Sequence, residues 1–188
     1  MDTKYLKFVP FFLLFGFADA EEKVAGAPDK FSCSATGDHV SEVDFLWPTE
    51  ANRFTIRMTA SSFTHDEEYI SLGTIFIRRP DKDNFIAIRM SPADVDEKMA
   101  TVFFQTADED EINAQPIAVV PVEESVLFRV HQDPDGTVWL NIRYKNLFVR
   151  TFQFPPNMAK NGSIRLACSA SDIVFEEMDF SRSIQFEN

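Results

Sequence analysis

The sequence lacks the short motifs that mark most enzyme active sites. It contains no Gly-x-Ser-x-Gly elbow, no His-Glu-x-x-His helix and no glycine-rich phosphate loop. Its three histidines, His39, His65 and His131, are scattered along the chain. We therefore expect no catalytic residue, no metal and no cofactor, and a protein that is not an enzyme.

Positive charge is also in short supply. The chain has 18 Lys and Arg residues against 30 Asp and Glu residues, which gives a formal net charge of −12. Such a chain repels nucleic-acid phosphates and anionic headgroups. Nucleic acid is therefore not an expected partner, and neither is an anionic membrane surface.

Only one apolar run stands out, and it is short. Within residues 1–20, two lysines precede the run at 8–17, and the small residues Ala18 and Ala20 follow it. This pattern is typical of a secretory signal peptide cleaved before Glu21. A membrane span needs about 20 apolar residues, so a retained anchor is the weaker alternative and no membrane insertion is expected.

Cysteine is nearly absent. The two cysteines, Cys33 and Cys168, both follow the predicted cleavage point. In an oxidising compartment such a pair most simply forms one disulfide, although two buried free thiols would also fit. The bridge would close a loop of 135 residues, which on the chain-entropy model is worth about 5 kcal/mol.

What the chain does have is alternation of apolar and polar residues with period two, the pattern of half-buried strands. The clearest example is the segment 53–59, where Phe54, Ile56 and Met58 alternate with polar residues. The predicted strands cover 31–35, 41–47, 53–59, 69–78, 85–90, 100–106, 115–121, 126–131, 138–143, 146–154, 163–169 and 173–180. They predict an all-β, antiparallel two-sheet sandwich over residues 31–181, with a flexible segment at 21–30 and a tail at 182–188. A closed barrel of eight to ten strands is the alternative.

One hairpin can be predicted in detail. The sequence Asp-Pro-Asp-Gly at 133–136 is typical of a tight turn that closes in a bulge. It pairs Asp133 with Thr137 and places apolar residues opposite one another on one face. The polar side chains then share the other face, which we call the hairpin face. Its residues are Arg129, His131, Trp139, Asn141 and Arg143.

The C-terminal half of the chain contains a series of closely spaced extended segments, at 126–130, 138–144, 147–152, 163–166 and 171–180. Their order and spacing are similar to those of a jelly-roll lectin. This half of the chain resembles the closing strands of galectin-like and other concanavalin A-like sandwiches. The resemblance implies that the last strand lies beside the first, which would bring Cys33 and Cys168 together. The His-x-Asn-x-Arg, Val-x-Asn and Trp-x-x-Glu strands by which galectins bind galactosides are absent, so no galectin sugar-binding residue is transferred.

The hairpin face is the leading candidate for a ligand site. Trp139 is suited to stacking on a sugar ring, while Arg129, His131, Asn141 and Arg143 offer hydrogen bonds to hydroxyl groups. The alternative is an ordinary solvated outer face, on which isolated apolar residues are normal.

Three other features are weaker candidates. The strand at 42–47 resembles the Glu-x-Asp-x-x-Glu strand of laminarinase-type hydrolases, but Trp47 replaces the second glutamate that retaining hydrolysis needs. The acidic runs at 65–68 and 108–111 offer oxygens for Ca²⁺ without a recognised calcium-loop spacing. Asn161 begins an Asn-Gly-Ser sequon, which predicts a glycoprotein if the chain is exported.

These observations favour a secreted, lectin-like protein that binds carbohydrate without chemistry. Its expected partner is a glycan or an extracellular protein. The alternatives are a structural or protein-interaction module without sugar binding, and a carrier that encloses a lipid in a β-barrel.

Overall fold

Eleven strands make up most of the described chain. The computed structural model describes residues 21–64, 70–78, 85–93, 96–108, 111–135, 137–145, 147–154 and 162–183. The strands are β1 (Glu21–Val24), β2 (Lys30–Leu46), β3 (Arg53–Phe63), β4 (Leu72–Arg78), β5 (Phe85–Ala93), β6 (Asp96–Asp108), β7 (Glu111–Pro121), β8 (Ser125–Gln132), β9 (Val138–Tyr144), β10 (Leu147–Phe154) and β11 (Ser163–Ser183). Within these residues there is no helix long and apolar enough to cross a membrane.

The strands form two antiparallel layers that share β2 and β11. In layer one the order is β10, β9, β8, β3 and the second half of β11, which also pairs with β1 and the first half of β2. In layer two the order is the second half of β2, the first half of β11, β4, β5, β6 and β7. The predicted two-sheet sandwich is therefore confirmed, and β7 and β10 do not pair to close a barrel among the described residues.

The long strand β11 bends where it leaves one layer for the other. Its pairing with β2 shifts register between Ser169 and Ser171, and the intervening Ala170 has a φ of 47°. Two hydrogen bonds secure the bend: the amide of Thr64 donates to the carbonyl of Ala170 over 2.7 Å, and the Ser171 hydroxyl donates to the carbonyl of Leu72 over 3.0 Å. The bend lets one strand pair with both layers.

The core lies between the layers and consists of the inward-facing residues of each strand. In β3 and β8 every second residue is buried, as the alternation predicts. The largest fully buried side chains come from both layers: Phe54, Ile56, Met58, Ile75, Ile77, Ile86, Ile88, Met90, Phe128, Leu140, Phe175 and Phe180. At Gly73 the layers approach so closely that a Cβ would lie 2.7 Å from Ile173. That position therefore requires glycine.

The disulfide predicted from the cysteine count is present. Cys33 in the first half of β2 bonds to Cys168 in the first half of β11, with the Cα atoms 5.9 Å apart, and both residues are buried. Because these two half-strands belong to different layers, the bridge links the layers beside the bend. A disulfide of this kind fits an oxidising compartment.

The structure differs from the sequence prediction mainly in the length of its strands. The segments 31–35 and 41–47 form parts of one strand, β2, and the segments 163–169 and 173–180 form parts of β11. The segment 21–30, which we expected to be flexible, contains β1, and β11 continues past residue 181 to Ser183. Backbone pairing with β11 holds β1, and a strand of four residues is too short for an alternation to be detected in the sequence.

We expect loss of the disulfide to destabilise the fold strongly. The double variant Cys33→Ser, Cys168→Ser frees a loop of 135 residues in the unfolded chain, so the free energy of unfolding should fall by about 2–5 kcal/mol. Urea unfolding of both proteins under non-reducing conditions measures the difference. A loss below about 0.5 kcal/mol would mean that the bridge does not constrain this chain.

Candidate functional site

The five residues of the hairpin face lie together on the outer surface of layer one. The predicted register is confirmed: His131 pairs with Trp139 and Arg129 with Asn141, while the amide of Asp133 donates to the carbonyl of Thr137 over 2.8 Å. The opposite side chains of β8 and β9 enter the core. Arg143 is exposed, and the other four are half-buried. The structure brings all five to one face but does not test their binding role.

Two of these residues are already engaged by the turn. The indole N–H of Trp139 donates to Oδ2 of Asp133 over 2.7 Å, and Nε2 of His131 lies 2.8 Å from Oδ1 of the same carboxylate. The hydrogen bond from Trp139 is the main reason why the pKa of Asp133 is lowered; burial opposes the shift and His131 adds to it. Trp139 therefore has a local structural role, and only its ring remains for stacking.

The rest of the hairpin face forms a small depression. A cavity of about 120 Å³ is lined by Leu127, Arg129, Asn141 and Arg143. This volume is well below the roughly 300 Å³ at which ligand pockets usually begin. The cavity suits one hydroxyl group or a water molecule rather than a whole sugar ring.

The Asp133 contacts generate a pH-dependent prediction. Because the folded-state pKa of Asp133 is lowered, its stabilising contribution is present above the usual carboxyl pKa and is lost as the pH falls through the folded value. We expect Asp133→Asn to reduce the free energy of unfolding by about 0.5–1 kcal/mol at pH 7, and the difference from wild type to shrink towards zero in acid.

Urea unfolding of the two proteins between pH 7 and low pH tests this prediction. Asp135→Asn is the matched control, since Asp135 accepts only the amide of Thr137 and asparagine keeps an acceptor there. A difference that stays constant with pH would show that the charge of Asp133 does not contribute.

A second polar group lies on the outer surface of layer two, the surface that also carries the strand at 42–47. Five of the side chains of β4 and β5 that point away from the core form what we call the arginine face: Thr74, Phe76, Arg78, Ala87 and Arg89. Thr74 is paired with Arg89 across the two strands, and Phe76 with Ala87. Cross-strand pairing places one residue from each of six neighbouring strands in a single row: Glu42, Ala167, Thr74, Arg89, Phe103 and Pro116.

Arg89 lies in the middle of this face and forms no ion pair with any residue that the structure describes. Its side chain is half-buried, and its Nε has no hydrogen-bond partner among the described residues. Burial lowers the pKa of its guanidinium. The guanidinium carbons of Arg89 and Arg78 lie 5.6 and 5.1 Å from the centroid of the Phe76 ring, within cation–π range.

A cavity larger than that of the hairpin face opens on this surface next to Phe76, and Arg89 is not part of its lining. Its volume is about 340 Å³, and its lining is Val40, Glu42, Ile70, Leu72, Thr74, Phe76, Arg78, Arg165, Ala167, Cys168 and Ser169. Thr74 is fully buried, and its hydroxyl has no partner in the described part of the chain. A buried polar group without a partner costs free energy unless a ligand or water satisfies it.

The carboxylates compared with those of laminarinase-type hydrolases are bound within the same surface. Arg165 binds Asp44 through two contacts of 2.8 and 2.6 Å and Glu42 at 3.2 Å. The hydrogen bond from Arg165 lowers the pKa of Asp44. Trp47 is buried and donates its indole N–H to the carbonyl of Ala51. Each of these side chains thus has a structural partner.

Several sequence predictions lie outside the described residues. These are the signal peptide at 1–20, the sequon residue Asn161, the acidic run at 65–68 and the side chains of 108–111. Among the side chains that are described, no three His, Cys, Asp or Glu residues cluster closely enough to hold a metal ion.

Comparison with known proteins identifies the fold. An alginate lyase of Pseudomonas aeruginosa matches 77% of this chain with 74% of its own, at 11% identity and a TM-score of 0.53. The carbohydrate recognition domain of Emp46p, in its metal-free form, matches 84% of this chain with 84% of its own, at 12% identity and a TM-score of 0.52. A galectin of Caenorhabditis elegans, LEC-6, matches 82% of this chain with 96% of its own, at 12% identity and a TM-score of 0.49.

The alginate lyase and the Emp46p domain thus share this chain's fold, which agrees with the predicted antiparallel two-sheet sandwich. At these identities the likeness concerns the fold alone. No protein-family model matches the chain, and no curated protein matches it in sequence.

Proposed function

We propose that this protein is a secreted, non-enzymatic lectin that binds carbohydrate on its arginine face. The supporting observation is a group of polar side chains around an aromatic ring: the guanidinium groups of Arg78 and Arg89 lie over Phe76. Next to the ring, buried polar atoms of Thr74 and Arg89 lack a partner among the described residues. Sugar recognition needs such a combination, because hydroxyl groups require directed hydrogen bonds and the apolar face of a pyranose packs on an aromatic ring.

The cavity beside these residues is suited to a sugar. Its volume of about 340 Å³ falls at the lower end of the usual range for ligand sites. Phe76 belongs to its lining, so a sugar seated there would contact the ring.

The hairpin face is our second proposed surface. Arg129, Asn141 and Arg143 line its small cavity, and the Trp139 ring is half-buried on the same face. It ranks below the arginine face because the polar atoms Nε1 of Trp139 and Nε2 of His131 are already used on Asp133.

The non-enzymatic assignment is part of the proposal. It is supported by the state of Glu42 and Asp44, the carboxylates most like those of a hydrolase, which are both bound to Arg165. A protein-interaction module is the competing function. It is favoured by the exposed side chains of Val40 and Ile70, which are 63% and 74% exposed at the rim of the larger cavity.

A glycan array probed with the secreted protein tests the function. We expect a restricted set of glycans to bind, and Phe76→Ala to weaken that binding about tenfold or more, the equivalent of 1.4 kcal/mol. Trp139→Ala is the matched control, since it removes one aromatic side chain from the other layer.

The outcomes separate the hypotheses. Loss of binding in Trp139→Ala alone would place the site on the hairpin face. Absence of any binding by the folded wild type would contradict the lectin and favour the interaction module.

A further inference from the structure

We propose that the arginine face selects saccharides carrying a single acidic group, a carboxylate or a sulfate ester, and that Arg89 binds this group. This inference rests on the proposed function, since it specifies the class of sugar that the same face takes. The observations that support the inference are the position of Arg89, its partial burial and the absence of a counter-ion for it among the described residues.

Arg89 differs from the arginines that form ion pairs with acidic residues of the chain. Arg57 binds Glu177 at 2.7 Å, and Arg165 binds Asp44 at 2.6 Å and Glu42 at 3.2 Å. Arg89 has no such partner among the described residues, although the chain contains 30 acidic residues. A planar guanidinium presents five donors that match an oxyanion in bidentate geometry. The half-buried, unpaired group is therefore ready for an anion from outside.

The neighbours of Arg89 strengthen this interpretation. Arg78 and Arg89 both contact the Phe76 ring, so two positive charges meet on one side chain. A bound anion would relieve this crowding of like charge.

The charge of the rest of the chain limits the ligand to one acidic group. Glu42 lies in the same row as Arg89, three strands away, a distance of roughly 14 Å at the usual strand spacing. Asp44 lies on the same strand as Glu42, and the whole chain has a net charge of −12. Glu42 also lines the cavity, so a polyanionic chain that brought a second acidic group into it would be repelled, whereas a single acidic group held at Arg89 would lie three strands from Glu42.

The test compares matched monosaccharides on the secreted protein by amide chemical-shift titration. Methyl glucoside is the neutral probe, methyl glucuronide supplies a carboxylate, and methyl glucoside 6-sulfate supplies a sulfate ester. We expect at least one acidic probe to bind about 10- to 100-fold more tightly than the neutral one, the range of a hydrogen bond to a charged group. The shifted amides should centre on β4 and β5.

Variants assign the preference to Arg89. Arg89→Gln should bring the acidic-to-neutral affinity ratio to about 1, while Arg89→Lys should keep an intermediate ratio because the charge remains without the fork. Arg57→Gln is the matched control, which removes one positive charge from layer one and should leave the ratio unchanged. The melting temperature of each variant verifies that it is folded.

Each other outcome overturns a defined part of the account. An acidic preference that survives in folded Arg89→Gln overturns the role of Arg89. Equal binding of neutral and acidic probes overturns the acidic specificity but leaves the lectin proposal standing. Tighter binding of a heparin fragment than of either acidic monosaccharide overturns the limit to one acidic group. Failure of all sugars to bind overturns both proposals.

Discussion

The pairing of β11 with both layers is the constraint on which the rest of the structure depends. This strand pairs with β2 and β4 in one half and with β1, β2 and β3 in the other. Each layer is thus built outward from a different half of the same strand. The bend at Ala170 and the adjacent disulfide determine how the layers face each other, and with them which side chains reach the core. This arrangement therefore determines where both candidate faces lie.

The two outer faces carry different electrostatic patterns, and this difference guides the functional proposal. On the hairpin face Nε1 of Trp139 and Nε2 of His131 contact Asp133 and stabilise the turn, while Nδ1 of His131 has no partner within the described structure. On the arginine face Thr74 and Arg89, which are paired across β4 and β5, both retain unsatisfied atoms within the described structure. Unsatisfied buried polar groups reduce stability, and two of them side by side favour the arginine face as the place where a ligand binds.

Local sequence patterns predicted the features that depend on neighbouring residues. The turn at 133–136 and the alternation on either side of it predicted the full register of β8 and β9. The turn type determines which residues pair next to the loop, and only that register places the apolar residues of both strands on one face. The continuity of β11 could not be predicted, since Ala170 has positive φ without being glycine, and serines surround it. The arginine face was missed for a similar reason. Phe76 and Arg89 lie on different strands, and only the register between β4 and β5 brings them together.

Native-state hydrogen exchange measures the central claim most directly. A strand hydrogen-bonded on both sides in both layers opens only when the whole domain unfolds, so the amides of β11 around Leu166 and Phe175 should exchange with the free energy of global unfolding. The outer strands β7 and β10 should exchange through smaller openings. If the amides in either half of β11 exchange as fast as those of β7 and β10, then that half does not organise its layer and the account is wrong.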